Sequence, residues 1–266
     1  MKLGSVILGF LFLLTANAFA QSAARPLKQV MTLEMPGESG TNGAMIVWHP
    51  IQKKYYSSFA GNTTYPMAVF NVTGKMISPA DMETGFDTRG LWYNSVTKTL
   101  DANGYDDFGW AKYSLDLKGM PSEPEVYVEG LNQPDAQSVG VFDGLKKQVV
   151  FLDNGTLHFY SSTGEDLDQS LELEIDGAGN ELNGDDEEGF AKYNSTTVCY
   201  TGIANAEFAI LNVDELKIEL YNRKGQRTRT YTLPDDAPVQ NMFNFAYANS
   251  TWWLFNTETR TWQGYK

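Results

Sequence analysis

Six acidic side chains fall within thirteen residues of this chain: Asp176, Glu181, Asp185, Asp186, Glu187 and Glu188, with Gly177, Gly179 and Gly184 between them. Hard carboxylate oxygens on a flexible, glycine-rich loop are the donor set that Ca²⁺ selects. The spacing is not that of an EF-hand. Asp176, Glu181, Asp185 and Asp186 are the ligands expected if the loop holds Ca²⁺, and a solvated acidic loop is the plainer reading.

A second polar set lies immediately before predicted apolar strands: Asn42, Asp87, Arg89, Asp135, Gln137, Gln240 and Asn241. Amides, acids and one guanidinium gathered at a funnel suit a sugar, a peptide or another small polar ligand, the guanidinium by offering a two-point fork. The plainer reading is that these polar residues cap strand ends, as loop residues often do. An enzymatic alternative draws on Glu38, Glu83, Asp87, Asp135 and Asp236. Two such carboxylates could act as acid and base or nucleophile in glycoside hydrolysis, and a metal-dependent lactonase is a related possibility. The two histidines, His49 and His158, are far apart in sequence. This disfavours a His-ligated zinc or a Ser-His-Asp triad. No G-x-S-x-G, P-loop or H-E-x-x-H sequence is present.

These residues must be positioned by a repeat. Five times an apolar strand runs into a small polar residue or histidine, at 45–49, 91–94, 139–143, 201–205 and 245–249. A second strand, a hairpin and a third strand follow. In four copies the third strand ends at a glycine turn, Gly74, Gly119, Gly164 or Gly225, and a fourth strand comes next. The first three of these glycines are 45 residues apart, and the interval to Gly225 is 61, so residues 176–193 read as an insertion. The strands are β-branched and aromatic runs, as expected of strands packed on both faces. No stretch outside the first twenty residues carries a helical period. Fixed-period units of four short strands are the signature of a β-propeller. The chain is read as all-β, with five four-stranded blades and six as the alternative. The fifth copy ends without a fourth strand, and an unassigned strand at 29–35 is expected to complete it, sealing the ring.

The polar residue after each inner strand is His49, Asn94, Asp143, Asn205 or Asn249. Because it recurs in every blade it is read as a turn cap. The single Cys199, in an apolar run, is read as a small buried hydrophobe.

Residues 1–20 read as a cleaved secretory signal, with Lys2, an apolar stretch over 6–14 and the small-x-small triplet Ala18-Phe19-Ala20. Residues 21–266 are then one propeller domain, secreted or periplasmic, with no membrane span. The net charge of −13 argues against nucleic acid and anionic membranes as partners.

The strand–hairpin–strand unit ending in a glycine turn, as in 70–75 and 160–165, resembles blades of NHL and TolB-like propellers. The resemblance spans nearly the whole mature chain and implies the fold alone. Those families usually have six blades, against the five counted here. The functional expectation is a non-catalytic binding or scaffold protein that recognises a small polar ligand, a glycan or a protein partner at the channel mouth, with a hydrolase as the alternative.

Overall fold

The computed structural model describes residues 24–38, 43–175 and 191–266. An N-terminal segment carries β1 (Arg25–Pro26) and β2 (Gln29–Glu34). Blade 1 follows with β3 (Ala44–His49), β4 (Lys54–Phe59) and β5 (Met67–Asn71); blade 2 has β6 (Thr88–Asn94), β7 (Thr99–Gly104), β8 (Trp110–Tyr113) and β9 (Glu125–Val128). Blade 3 comprises β10 (Val141–Asp143), β11 (Gln148–Asp153), β12 (Thr156–Ser161) and β13 (Asp166–Glu172), and blade 4 comprises β14 (Cys199–Tyr200), β15 (Phe208–Asn212), β16 (Lys217–Tyr221) and β17 (Arg227–Thr232). Blade 5 has β18 (Phe245–Ala248), β19 (Thr251–Asn256) and β20 (Thr261–Tyr265). Each blade is its own sheet of antiparallel neighbours, and the inner strands β3, β6, β10, β14 and β18 contact one another in ring order. This is a five-bladed β-propeller. The one helical element among the described residues is a 3₁₀ turn at Asp106–Phe108.

Period-2 alternation explains why the strands read as unbroken apolar runs. Val149 and Phe151 of β11 pack with Trp92 and Trp110 of blade 2, while Val150 and Leu152 pack with Phe208 and Ile210 of blade 4. Tyr55 and Tyr56 divide in the same way between blades 5 and 2, and Trp253 and Trp252 between blades 1 and 4. Five clusters result, one per blade interface. Each large side chain removed from water contributes roughly 1.5–3 kcal/mol, so stability is spread around the ring and depends on its closure.

Closure uses the N-terminal segment. Strand β2 pairs antiparallel with β20 as the outer strand of blade 5, with Leu33 opposite Trp262. Just before it, β1 adds in parallel to the outer edge of blade 4, Arg25 beside Tyr231. The segment thus covers one blade edge and completes the next.

Two elements differ from expectation. Blade 1 has three regular strands: after Gly74 the chain makes the Phe70–Met76 bridge and the Ile77 N to Val69 O bond, leaves the ladder around Pro79, and rejoins only through Met67 N to Met82 O and the isolated Pro66–Glu83 bridge. Pro79 at that point has no N–H to offer a ladder. In blade 4 the inner strand is Cys199–Tyr200 rather than 201–205. The side chain that caps the following turn is Thr201, whose Oγ1 accepts from Ile203 N at 2.9 Å; Asn205 sits further along the turn with φ 61°.

Candidate functional site

The inner hairpins of blades 1, 2 and 3 share one geometry. Each inner strand ends at a capping residue paired with the residue five positions on: His49 with Lys54, Asn94 with Thr99, Asp143 with Gln148. His49 Nδ1 accepts from Gln52 N, Asn94 Oδ1 from Val96 N, and Asp143 Oδ1 from the amides of Leu145 and Lys146. The last loop residue is a lysine at positive φ in all three: Lys53, Lys98 and Lys147. Blade 5 closes instead with a two-residue turn, Asn249 and Ser250 both at positive φ. His49, Asn94 and Asp143 therefore do the structural work expected of them from the sequence, whereas Asn205 gives way to Thr201 and the Asn249 side chain donates to Tyr55 Oη.

Inside this ring lies a cavity of ≈ 530 Å³. All five inner strands line it, with Val47, Tyr93, Val141, Tyr200 and Tyr247 among the half-buried residues on its wall. Its lining reaches the hairpin turns at Pro50, Ser95, Gly144 and Ser250 and stops short of the loops at the other end of the inner strands. Among the described residues no carboxylate or imidazole is part of the lining. Burial raises the hydroxyl pKa of Tyr93, Tyr200 and Tyr247, with the nearby Asp143 charge adding to the shift at Tyr200. These phenols are therefore neutral hydrogen-bonding groups at ordinary pH. Cys199 also touches the cavity, is 2% exposed, and has its thiol pKa pushed well up by burial, so it is an inert packing group. His49 stands behind Tyr93, ring centroids 4.1 Å apart; burial, the largest influence, lowers its pKa and favours the neutral imidazole.

One ion pair braces the rim. Asp143, fully buried, accepts from Arg223 at two points, and the Arg223 guanidinium lies over the rings of Tyr200 and Phe208 at 5.8 and 5.4 Å. Blade 4 is thereby fastened to blade 3 beside a tyrosine of the cavity wall.

The residues singled out from the sequence lie at the opposite end. Asp87, Arg89 and Gln137 come together there. Arg89 is buried, donates through Nε to Gln137 Oε1 at 2.7 Å and through Nη1 to Asp87 Oδ1, and lies 4.5 Å over the Tyr105 ring. Asp87 Oδ1 also accepts from Gly61 N. Asp135 caps its own turn, accepting from Gln137 N at 2.8 Å. Gln240 and Asn241 stand apart from this cluster, in a separate open depression with Met242, Thr257 and Glu258. Asn42 and the four expected Ca²⁺ ligands, Asp176, Glu181, Asp185 and Asp186, lie outside the described residues. Among the described residues no cluster of three His, Cys, Asp or Glu is placed to hold a metal ion. The tyrosines of the cavity wall were not singled out from the sequence; Tyr93 and Tyr247 lay within the inner-strand motifs, while Tyr200 lay just before the one read at 201–205.

No protein-family model matches the chain, and no curated protein does. Among solved structures it is similar to virginiamycin B lyase from Staphylococcus aureus, at 14% identity over 86% of this chain and 67% of that one, with a TM-score of 0.41. It is also similar to the β-propeller domain of Cps50 (Swd1) from Myceliophteria thermophila, at 11% identity over 90% of this chain and 99% of that one, TM-score 0.46. Raptor from Chaetomium thermophilum matches at 9% identity over 86% of this chain and 19% of its own, TM-score 0.40. These proteins share the general architecture and carry no residue-level argument. Among the described residues no helix is long and apolar enough to cross a membrane.

Proposed function

We propose that this propeller is a non-catalytic binding protein that holds a small, uncharged ligand in the central cavity, entered from the hairpin end. The leader expected at residues 1–20 supports a secreted or periplasmic setting for it. The observation that carries the reading is the cavity itself: ≈ 530 Å³, with contributions from every blade and tyrosines on its wall. That volume falls in the range of small-molecule sites, which pair mostly apolar walls with a few convergent polar groups. Phenol, hydroxyl and amide groups from Tyr93, Tyr200, Tyr247, Ser95 and Asn249 suit a ligand with one flat apolar face and a hydrogen-bonding edge, a sugar unit included. Among the described residues the lining offers no carboxylate or imidazole for acid–base chemistry, which favours binding over hydrolysis.

Gly144 supplies the test. It lies at the rim, an added Cβ there meets nothing within 4 Å, and its φ is not positive. Gly144→Trp should therefore obstruct the mouth and leave the fold intact. Thermal denaturation against a panel of mono- and disaccharides and planar aromatic compounds should find a ligand that raises the melting temperature by mass action. The Gly144→Trp protein should lose that increment. A ligand that stabilises both proteins equally places its site elsewhere.

A further inference from the structure

The hairpin end differs from the rest of the surface. Ile51, Val96 and Leu145 occupy the same place in the three matching loops, two residues after the cap, and are 65%, 55% and 68% exposed. Leu117, in the glycine turn of blade 2 at the same end, is 103% exposed. These are the four most exposed large hydrophobic residues among those described. A folded protein has no internal use for four solvated aliphatic side chains raised together at one end of a ring.

Lysines surround them. Lys53, Lys146 and Lys118 are exposed in the same loops and turn, and Lys98 and Lys147 converge on Ser95 through its carbonyl and hydroxyl oxygens. Asp143 is paired with Arg223 and Asp116 accepts from the amides of Lys118 and Met120, and although Asp116, Glu165 and Asp166 are exposed at this end, the exposed lysines Lys53, Lys98, Lys118, Lys146 and Lys147 outnumber them. At the opposite end the exposed residues include Asp81, Asp106, Asp107 and Asp135. The net charge of −13 therefore averages over a molecule with a locally basic end. The inference from net charge that anionic surfaces repel this protein does not hold for that end.

We infer that the hairpin end of blades 1 to 3 docks onto an anionic lipid surface, the aliphatic tips entering the headgroup region and the lysines facing lipid phosphates. Two features favour a membrane over a protein partner. Ile51, Val96 and Leu145 sit at equivalent positions of equivalent loops, so the pseudo-symmetry of the ring brings them to one level, as a planar surface requires. The residues are aliphatic and lysine, with none of the aromatic and arginine anchors that concentrate binding energy at protein interfaces. Apolar insertion supported by several lysines is how peripheral proteins bind anionic bilayers. The cavity opens at this same end, so docking would set its mouth against the bilayer; the vesicle test below uses no cavity ligand, and its failure is distinguishable from failure of the proposed function.

The test is co-sedimentation of the whole protein with vesicles. The wild type should bind phosphatidylglycerol-rich vesicles, ignore pure phosphatidylcholine, and be released by high salt. Replacing the tips together, Ile51→Ser, Val96→Ser and Leu145→Ser, should weaken binding at least tenfold. Lys53→Ala with Lys146→Ala should weaken it by roughly tenfold or more, since each lysine near such a surface is worth about 1 kcal/mol. All five positions are exposed, so the melting temperature should be unchanged. Failure of the wild type to bind anionic vesicles at low salt overturns the proposal, as does undiminished binding by both variants. So would a wild type that ignores vesicles and instead binds poly-glutamate, or self-associates through these tips; the surface would then serve an acidic protein or a second copy of the chain.

Discussion

Arg223 and Asp143 are 80 residues apart in sequence and form a two-point ion pair, Nη1 to Oδ2 at 2.6 Å and Nη2 to Oδ1 at 3.0 Å. Asp143 is the cap of the blade 3 inner hairpin, and Arg223 belongs to the glycine turn of blade 4. A residue that closes a local turn thus also ties one blade to the next. The equivalent cap in blade 2 is Asn94, which receives backbone amides with no charge to balance.

That comparison sets an order for substitutions. Asp143→Asn keeps an oxygen for the amides of Leu145 and Lys146, as Asn94 does, and frees Arg223, whose side chain is 25% exposed and can hydrate. It should cost about 1–2 kcal/mol. Arg223→Ala leaves a fully buried carboxylate without its counter-charge and should cost more, roughly 3 kcal/mol. Urea denaturation of both variants checks the order; the reverse order would show that the pair does not hold the blades together.

The pair also has a pH signature. Burial alone would raise the pKa of Asp143, but the Arg223 hydrogen bonds, the Lys146 amide and the Arg223 charge outweigh it and leave it below the ordinary carboxylate value. The folded pKa is thus depressed, and the stabilisation is present above the unfolded pKa of about 4 and lost as pH falls through the folded value. The stability gap between wild type and Asp143→Asn should be constant from neutral pH down to about pH 5 and close below about pH 4. A gap that persists to pH 2 would mean the carboxylate charge contributes nothing.

The glycine turns give a second graded series. In each, the side chain three residues before the glycine caps the turn: Asn71, Asp116, Ser161 and Asn222 accept from the amides two and four positions on. A Cβ on Gly225 would lie 2.0 Å from the backbone oxygen of Glu172 in the preceding blade, whereas one on Gly202, also at positive φ, would meet nothing nearer than 3.9 Å. Gly202→Ala should cost only the left-handed backbone penalty, about 1–2 kcal/mol. Gly225→Ala must also displace blade 3 from blade 4 and should cost at least ~3 kcal/mol. Equal melting temperatures for the two variants would show that the turn is not seated against its neighbour.

The architecture was legible because a propeller repeats its local chemistry. A cap, a glycine three residues later and strands apolar on both faces recur with the blade, and each copy corroborates the others. Blade 4 was misplaced by a few residues where Thr201, a weaker cap than Asn or Asp, does the capping and Asn205 resembles a cap without being one. The site was less legible. Sequence orders the polar residues along the inner strands and does not say at which end side chains fill the axis. Arg89 reads as a ligand group in isolation, while its partners Asp87, Gln137 and Tyr105 come from three segments that only the folded ring brings together. The exposed tips Ile51, Val96 and Leu145 were hidden for a related reason: in a hairpin an aliphatic residue two places after a cap looks like the start of the next strand until its exposure is known.

Arg89 itself yields a test of its packing. Its side chain is 7% exposed, and among the described residues its partner Asp87 otherwise accepts only from Gly61 N. Arg89→Leu strands a buried carboxylate and should cost about 3 kcal/mol, whereas Arg89→Leu combined with Asp87→Asn removes both charges and should cost less than the sum of Arg89→Leu and Asp87→Asn made singly. Additive losses in this double-mutant cycle would mean the two groups act independently.

Closure of the ring can be tested at its seam. Leu33 is fully buried opposite Trp262, in the only blade whose outer strand comes from the other end of the chain. Leu33→Ala keeps the backbone pairing of β2 with β20 and removes only packing, at about 3 kcal/mol, which for a domain of this size corresponds to a fall in melting temperature of roughly 6–12 °C. Deleting residues 24–35 removes the pairing as well. It exposes the edge of β20, uncovers the β1 edge of blade 4, and leaves Trp262 without Leu33. An unpaired edge beside an exposed tryptophan is a template for intermolecular pairing, so the truncated chain should aggregate, or melt far below the Leu33→Ala protein, and light scattering during the thermal scan will separate the two outcomes. A truncated chain that stays monomeric with the wild-type melting temperature would show that the ring holds without the shared blade.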